Sequence, residues 1–149
     1  MSVHNPRSAE SKKSPDLDTI SIAWDQICLD HEHSIAEIDN LAKHFNFLTG
    51  KWLVTVSPGE VDDLWEQIAK STLAGTLGIG AEVSIGWMRD GYLISVYNAD
   101  YTSEAEVNGI RDKLRRLGVK ESIAYIPDIY FHCKIDQESW GIPLCRYIS

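Results

Sequence analysis

The sequence predicts an α+β domain in which one curved, mainly antiparallel sheet carries about three helices on one of its faces. Three Ser-x-x-Glu pairs, which start at Ser34, Ser57 and Ser103, each precede an apolar stripe at helical spacing. About six short runs of β-branched and aromatic residues show the alternation of strands. Because each helix has a single stripe, we expect the helices to cover one sheet face and leave the other uncovered.

The composition indicates one domain and limits its partners. The chain has 149 residues, of which 44% are hydrophobic, and a formal net charge of −8. Residues 1–17 are polar and are assigned to a disordered tail, and residues 18–149 form the domain. The acidic charge argues against non-specific binding to nucleic-acid backbones or anionic membranes. With no apolar run of about 20 residues, a cytoplasmic location is expected, with the nucleus as a second compartment.

The central element is the strand GKWLVTV, which leads straight into a helix. Trp52, Val54 and Val56 alternate with the residues between them, as in a strand buried largely on both faces. Ser57 ends the strand and caps the helix, and Gly75 provides a left-handed C-cap. This stretch therefore predicts a strand, a helix start and a helix end without a gap.

Elements on both sides of this stretch are predicted from the same signals. Segment 19–28 fits either a strand or a helix, whereas helices are predicted from Ser34 to Asn46 and from Ser103 to Leu117. Further strands are predicted at 81–87, 92–98, 122–126, 129–135 and 143–148. The Asp-Gly pair in MRDG predicts a hairpin between the first two of these strands.

A groove on the uncovered face is the expected ligand site, because the later strands and loops supply aromatic and charged residues there, Tyr97 among them. The candidate ligand-binding residues are Trp87, Arg89, Asp128, Tyr130, His132, Lys134, Trp140 and Arg146. Asp128 would be an acceptor at the groove rim, although a turn-capping role fits it as well. Lys134 and Arg146 would attract an anion.

Metal and cofactor sites are not predicted. The run Asp30-His31-Glu32-His33 is rich in metal-ligating side chains. It lies in a polar linker before a helix cap, where adjacent side chains point in different directions and the helix dipole stabilises acidic groups without a metal. The three cysteines have no CxxC spacing, which suits reduced thiols.

Five segments of the chain carry a family resemblance. They are GKWLVTV, DLWEQIAKSTLAGTLG, YLISVYNADYTSEAEV, RRLGVKESIAYIPDIYFH and WGIPL, and the match as a whole covers roughly residue 34 to the C-terminus. In order and content they resemble the Bles family, named after a protein expressed in basophilic leukaemia cells. The resemblance implies a fold similar to the cap-binding translation initiation factors, whose curved antiparallel sheet carries three helices on its convex back. Some members of the family are described as phosphothreonine lyases.

The resemblance does not extend to mRNA cap binding. Cap-binding factors hold the cap phosphates with Arg and Lys side chains of the hairpin strands. The corresponding positions here are Gly86 and Leu93, so both charges are absent. Fold similarity alone does not transfer a function, and cap binding is therefore not expected.

Three functions remain open at this point. The leading hypothesis is a binding module that holds a small phosphorylated or nucleotide-like ligand on the concave, uncovered face. The alternative is a phosphothreonine lyase-like enzyme, with His132 as acid and Lys134 as base on one strand face. The third is a protein–protein adaptor that uses the basic helix face of Arg111, Arg115 and Arg116. Whether the chain is an enzyme is left open.

Overall fold

A computed structural model describes residues 1–6, 16–30, 34–85, 91–135 and 143–149. The helices are α1 (Leu17–Asp30), α2 (Ile35–His44), α3 (Val61–Leu73), α4 (Glu104–Arg116) and α5 (Asp128–His132). The strands are β1 (Ser2–His4), β2 (Gly50–Val56), β3 (Gly80–Ile85), β4 (Tyr92–Asn98), β5 (Ala124–Pro127) and β6 (Tyr147–Ile148). Within these described ranges, no helix combines the length and apolar character needed to cross a membrane.

The strands form one open antiparallel sheet in the order β1-β3-β4-β2-β5-β6. Strand β2 lies between β4 and β5 and pairs with β4 along its whole length, from Gly50 opposite Asn98 to Val56 opposite Tyr92. The predicted α+β class with a single antiparallel sheet is confirmed. The described residues form five helices rather than about three, because segment 19–28 is helical and α5 replaces a predicted strand.

The pleat divides the sheet residues between two faces. The helix face contains Trp52, Val54, Ile94, Val96 and Tyr125. The opposite face contains Lys51, Gly80, Glu82, Tyr97 and Ile126. Successive side chains of β2 point to different faces. Since Trp52 lies on the helix face, its neighbour Lys51 lies on the opposite face.

Helices α3 and α4 bury the apolar residues of the helix face. The Trp52 ring is fully buried, and its Nε1 donates to the carbonyl oxygen of Val107 in α4 at 2.8 Å. Ile68 of α3 and Leu114 of α4 have no exposed surface. Helix α4 turns its single apolar stripe toward the sheet, as the sequence predicts. Helix α3 does so through Val61 and Ile68, whereas Leu73 at the end of its predicted stripe is exposed.

The predicted caps of α2 and α4 form through their Ser hydroxyls. Ser34 Oγ accepts from the N–H of Glu37, and Ser103 Oγ accepts from the N–H of Glu106, both at 3.3 Å. Glu106 does not complete a reciprocal capping box. Its Oε1 instead accepts from the N–H of Ala99 at 3.0 Å, which ties the start of α4 to the segment after β4.

Helix α3 begins later than the sequence predicts. Residues 58–60 form a turn, and Ser57 Oγ donates to Glu60 Oε2 at 3.1 Å rather than capping α3. The helix proper starts at Val61. Its predicted C-cap at Gly75 is confirmed by a positive φ of 78°, a conformation that favours glycine.

The predicted strand at 129–135 is wrong, because the chain forms α5 there. The N–H of Cys133 donates to the carbonyl oxygen of Ile129 at 2.9 Å, which is a helical contact. Ile129, Tyr130 and Cys133 are buried, whereas Phe131 is 62% exposed. The buried positions therefore recur at helical spacing. In the sequence, so short an apolar run fits the period of a strand as well as that of a helix.

Residues 2–4, assigned to the tail from composition, form the edge strand β1. The N–H of Val83 donates to the carbonyl oxygen of Met1 at 2.9 Å, and β1 pairs antiparallel with β3. Backbone hydrogen bonds to an otherwise unpaired strand edge hold this polar segment, and composition does not reveal such bonds. Residues 7–15 of the predicted tail lie outside the described residues.

The buried stripe of α4 leads to a stability prediction. Leu114→Ala should lower the free energy of unfolding by about 2–5 kcal/mol, because it leaves a cavity between α4 and the sheet. Trp65→Ala should cost less, since the Trp65 ring is only half-buried. Urea unfolding measures both. Leu73→Ala is the control, because Leu73 is 53% exposed and should change stability by at most about 0.5 kcal/mol. An equal loss for Leu73 and Leu114 would contradict the assigned buried face.

Candidate ligand-binding site

The structure separates the residues that the sequence groups as ligand-binding. Trp87, Arg89 and Trp140 lie outside the described residues. The described candidates are Asp128, Tyr130, His132, Lys134 and Arg146. Asp128, Tyr130 and His132 occupy different surroundings because side chains on the helix α5 point in different directions, whereas a strand would have placed alternate residues on one face. Lys134 follows α5, and Arg146 directly precedes β6.

Tyr130 and Arg146 lie in a buried polar cluster with Asp39 and Tyr101. Arg146 Nη1 donates to Asp39 Oδ2 and to the Tyr130 hydroxyl oxygen, both at 2.8 Å. The Tyr101 hydroxyl donates to Asp39 Oδ1 at 2.7 Å, and the Arg146 guanidinium lies 5.2 Å from the Tyr101 ring centroid. The charge of Arg146 is thus balanced inside the chain, so the geometry does not support its predicted role in attracting an anion.

His132 and Lys134 do not form the acid–base pair that a lyase would need. His132 Nε2 lies 2.7 Å from Ser21 Oγ and 2.9 Å from the carbonyl oxygen of Leu17, so the imidazole is docked on α1. Lys134 follows α5 with a positive φ of 54°, and its side chain is exposed. The shared strand face on which this pair was predicted does not exist, because α5 occupies that part of the chain.

Asp128 lies at the edge of the opposite face, and two side chains hold its carboxylate. Thr49 Oγ1 donates to Oδ2 at 2.7 Å, and Lys51 Nζ lies 3.2 Å from Oδ1. The N–H of Asp128 donates to the carbonyl oxygen of Thr49 at 2.9 Å. The side chain is 19% exposed, so the carboxylate is oriented before any ligand arrives and is still accessible at the rim.

A groove of about 390 Å³ lies on the opposite face beside Asp128. It is lined by Ser2, His4, Thr49, Ile79, Gly80, Ala81, Glu82, Tyr97 and Asp128. Gly80 pairs with Tyr97 across β3 and β4, so both residues lie on the opposite face. A Cβ at position 80 would come within 3.2 Å of His4 Nδ1 and of the Val3 carbonyl oxygen, so glycine allows the close approach of β1.

The groove is acidic around Tyr97. The pKa of the Tyr97 phenol is raised by burial and then by the negative charges of Glu82 and Asp128. Among the described residues that line the groove, none is Lys or Arg. The arrangement can stack a planar ring on Tyr97 and accept hydrogen bonds from N–H groups at the edge of that ring.

The sequence pattern places Tyr97 on the uncovered face and Asp128 at the groove rim, but it does not reveal the other residues of the groove. Gly80 reads as part of a turn, and Glu82 as an ordinary exposed strand residue. Lys51 could have been found, because the alternation in GKWLVTV places it opposite Trp52. His4 could not have been found, because β1 was not expected.

A second groove of about 340 Å³ lies between α3 and the segment 117–123. Its charged lining residues Glu60, Asp63, Lys120 and Glu121 are exposed, and its described lining contains no aromatic ring. Exposed charged side chains around an aliphatic floor do not define a site for a planar ligand. This groove is therefore the weaker candidate.

The expectation that the run at 30–33 binds no metal stays a prediction, because residues 31–33 lie outside the described residues. Over the part of the chain that the structure describes, no three or more His, Cys, Asp or Glu side chains are grouped so as to hold a metal ion.

The basic face of α4 is used largely by the chain itself. Arg115 Nη1 donates to two carbonyl oxygens of the loop after α4, at 2.9 and 2.6 Å. Arg111 Nη2 lies 2.9 Å from Asp112 Oδ1, and its Nη1 donates to Ser149 Oγ at 3.3 Å. Arg116 is exposed. Two of the three arginines therefore hold neighbouring segments in place.

Solved structures with a similar fold are cap-binding initiation factors. C. elegans eIF4E-3, in complex with the 4E-binding protein Mextli and cap analog, matches with a TM-score of 0.52 and 20% identity over 68% of this chain and 57% of that chain. Ascaris suum eIF4E-3 with m2,2,7G cap matches with a TM-score of 0.51 and 18% identity, over 67% of this chain and 57% of that chain. A schistosome eIF4E complexed with m7GpppA and 4E-BP matches with a TM-score of 0.52 and 19% identity, over 68% of this chain and 58% of that chain. The chain thus spans less than two thirds of these structures, and the likeness shows the fold.

The fold is therefore an α+β fold of the cap-binding initiation factor type. The sequence identifies the family more narrowly, because residues 4–134 match the family described as basophilic leukemia-expressed protein Bles03. The chain belongs to this family, which confirms the resemblance carried by segments such as GKWLVTV.

The buried tyrosines predict a loss of stability at alkaline pH. Burial, and then the negative charge of Asp39, raises the pKa of Tyr130 to about 12, and burial also raises the pKa of Tyr101 and Tyr125. The folded chain keeps these protons to a higher pH than the unfolded chain, in which the pKa is about 10. The free energy of unfolding should therefore fall as the pH rises above about 10. Urea midpoints at about pH 8 and about pH 11 measure this loss.

Tyr130→Phe removes one of these protons and should narrow the difference between the two midpoints. Equal midpoints for the native chain at both pH values would show that the phenols titrate alike in the folded and unfolded states.

Proposed function

We propose that this chain is a cytoplasmic or nuclear ligand-binding module whose site is the groove on the opposite face. Its ligand is nucleotide-like and is held mainly through a planar heterocycle. The observation that carries this proposal is the position of the Tyr97 ring, which borders the groove beside Gly80 and near the carboxylates of Glu82 and Asp128.

The contacts that such a heterocycle would make have known strengths. Stacking on Tyr97 contributes about 0.5–1.5 kcal/mol beyond the buried area. Ring N–H and amino groups need acceptors, and ionised Glu82 and Asp128 are acceptors only. Thr49 and Lys51 already hold the Asp128 carboxylate, so little ordering entropy is lost at that position on binding. A groove of about 390 Å³ is also within the usual size of small-molecule sites.

The fold gives this proposal independent support. The solved structures of similar fold are complexes with a cap analog, an m2,2,7G cap and m7GpppA. A protein of this fold can therefore bind a nucleotide. The identities of 18–20% do not transfer those ligands to this chain, and its own groove residues define the chemistry.

The groove recognises the heterocycle of the proposed ligand rather than a phosphate. The described lining of the groove contains no Lys or Arg. The nearby ammonium of Lys51 is paired with Asp128, and the guanidinium of Arg146 is paired with Asp39. The phosphorylated part of the sequence hypothesis then depends on residues such as Arg89, which lie outside the described residues.

The two alternative functions have less support from the geometry. A lyase that uses His132 and Lys134 needs both side chains at one reacting centre, whereas His132 is docked on α1 and Lys134 is on the exposed turn after α5. An adaptor that uses the basic face of α4 needs free arginines, but Arg111 and Arg115 make contacts within the chain.

Titration of the isotope-labelled chain with adenosine, guanosine, cytidine and uridine tests the proposal. At least one nucleoside should cause saturable amide shifts at Gly80, Thr49 and Tyr97. Tyr97→Leu should weaken its binding by about fivefold or more, because base–aromatic stacking contributes about 1–3 kcal/mol. The matching 5′-monophosphate should bind within about threefold of the nucleoside, since the described lining offers it no cation.

Tyr92→Leu is the matched control, because Tyr92 belongs to the same strand but points to the helix face. It should leave nucleoside binding unchanged, and thermal melting confirms that both variants are folded. Equal weakening in the two variants, or no saturable shift with any nucleoside, would contradict the proposed site.

An mRNA cap analogue should not bind at low micromolar concentration. Leu93 lies in β4 without a charge, the described groove lining contains no Lys or Arg, and each missing charge-assisted hydrogen bond forfeits about 1.5–3 kcal/mol. Two missing bonds weaken binding by about a hundredfold or more. Fluorescence titration with the cap analogue measures this. Saturation at low micromolar concentration that is lost in Tyr97→Leu would overturn the expectation.

A further inference from the structure

Lys51 lies on the opposite face with its ammonium between two aromatic rings and a carboxylate. Its Nζ is 5.5 Å from the Tyr97 ring centroid, 5.2 Å from the Phe131 ring centroid and 3.2 Å from Asp128 Oδ1. The Lys51 side chain is 18% exposed, so a charge that normally points into water is held close to the sheet.

Two rings and one carboxylate around a positive charge are the chemistry that recognises organic cations. The negative face of an aromatic ring attracts a cation within about 6 Å, and sites for quaternary ammonium groups combine several such rings. Tyr97 and Phe131 both meet this distance for Nζ, and Asp128 supplies the counter-charge.

The carboxylate does not depend on Lys51 for its position. Thr49 Oγ1 donates to Asp128 Oδ2, and the Asp128 N–H donates to the Thr49 carbonyl oxygen. Tyr97 is held by the pairing of β4 with β2 and β3. The acceptor and one ring of the site are therefore fixed by bonds that do not involve the lysine side chain.

We propose that Lys51 determines the charge specificity of the opposite face by filling, from within the chain, a cation site made by Tyr97, Phe131 and Asp128. The native chain then accepts neutral ligands and rejects organic cations at this position. This inference deepens the proposed function, because Tyr97 and Asp128 also line the groove.

A purely structural role for the lysine predicts something different. In that case the Lys51–Asp128 pair only ties β2 to α5, and removal of the ammonium lowers stability without creating a binding site. The two roles are distinguished by whether an external cation can take the place of the ammonium.

Choline is the probe, and Lys51→Met is the variant, because Met keeps an unbranched chain without the charge. In Lys51→Met, choline should cause saturable shifts at the amides of Tyr97 and Phe131, with an affinity at least about tenfold above that of the native chain. Thermal melting establishes that the variant is folded. If Lys51→Met does not fold, Lys51→Gln serves instead, since its amide can still donate to Asp128.

Two controls make the test specific. Lys51→Arg keeps a cation at the site and should bind choline no better than the native chain. Asp128→Asn in the Lys51→Met background removes the counter-charge and should reverse the gain. Folded Lys51→Met or Lys51→Gln without a gain in choline binding would overturn the proposal, and so would an equal gain in Lys51→Arg.

The result is separable from the test of the proposed function. If no nucleoside binds the native chain but Lys51→Met gains choline, the cation site stands and the nucleotide proposal fails. If nucleosides bind at Tyr97 and Lys51→Met gains nothing for choline, the nucleotide proposal stands and the role of Lys51 is wrong.

Discussion

The pairing of β2 with strands on both of its sides is the constraint on which the rest of the structure depends. Because β4 and β5 hold it from both edges, β2 cannot slip, and successive residues are committed to different faces. Trp52 is thereby placed under α4, where Val107 accepts its N–H, and Lys51 is placed on the opposite face. A shift by one residue would put the ammonium in the core and the indole outside. One strand therefore links the stability of the fold to the chemistry of the site.

The Asp39–Arg146 pair shows how tertiary contacts reassign a charge. Arg146 precedes β6, and the pairing of β6 with β5 carries its guanidinium to the side of the sheet where Tyr101 and Tyr130 lie. A nearly buried ion pair is tolerated there because Asp39 also accepts a hydrogen bond from the Tyr101 hydroxyl and Arg146 also donates one to the Tyr130 hydroxyl oxygen. The same contact removes a basic side chain from the groove, so the groove depends on aromatic and acidic groups rather than on cations.

The groove itself is assembled from distant parts of the chain. Ser2 and His4 come from the N-terminal edge strand, Gly80 and Tyr97 from the middle of the sheet, and Asp128 from the start of α5. The backbone pairing of β1 brings in the first two residues, and the lack of a side chain at Gly80 lets β1 approach closely. Beside the groove, the ammonium of Lys51 is matched by the carboxylate of Asp128. Such a surface favours recognition of ring shape and hydrogen-bond pattern over recognition of net charge.

The sequence by itself determined the α+β class, the capped starts of α2 and α4, the strands at 50–56 and 92–98 and the family. These features rest on hydrophobic period and on caps a few residues long, which neighbouring residues decide among themselves. Only the tertiary structure decided that Ile129 to His132 are helical, since so short an apolar run fits both periods. It also decided the partners of Asp128, His132 and Arg146 and the place of β1. A charged or polar side chain bonds to whatever the folded chain brings within reach, and spacing along the sequence does not contain that distance.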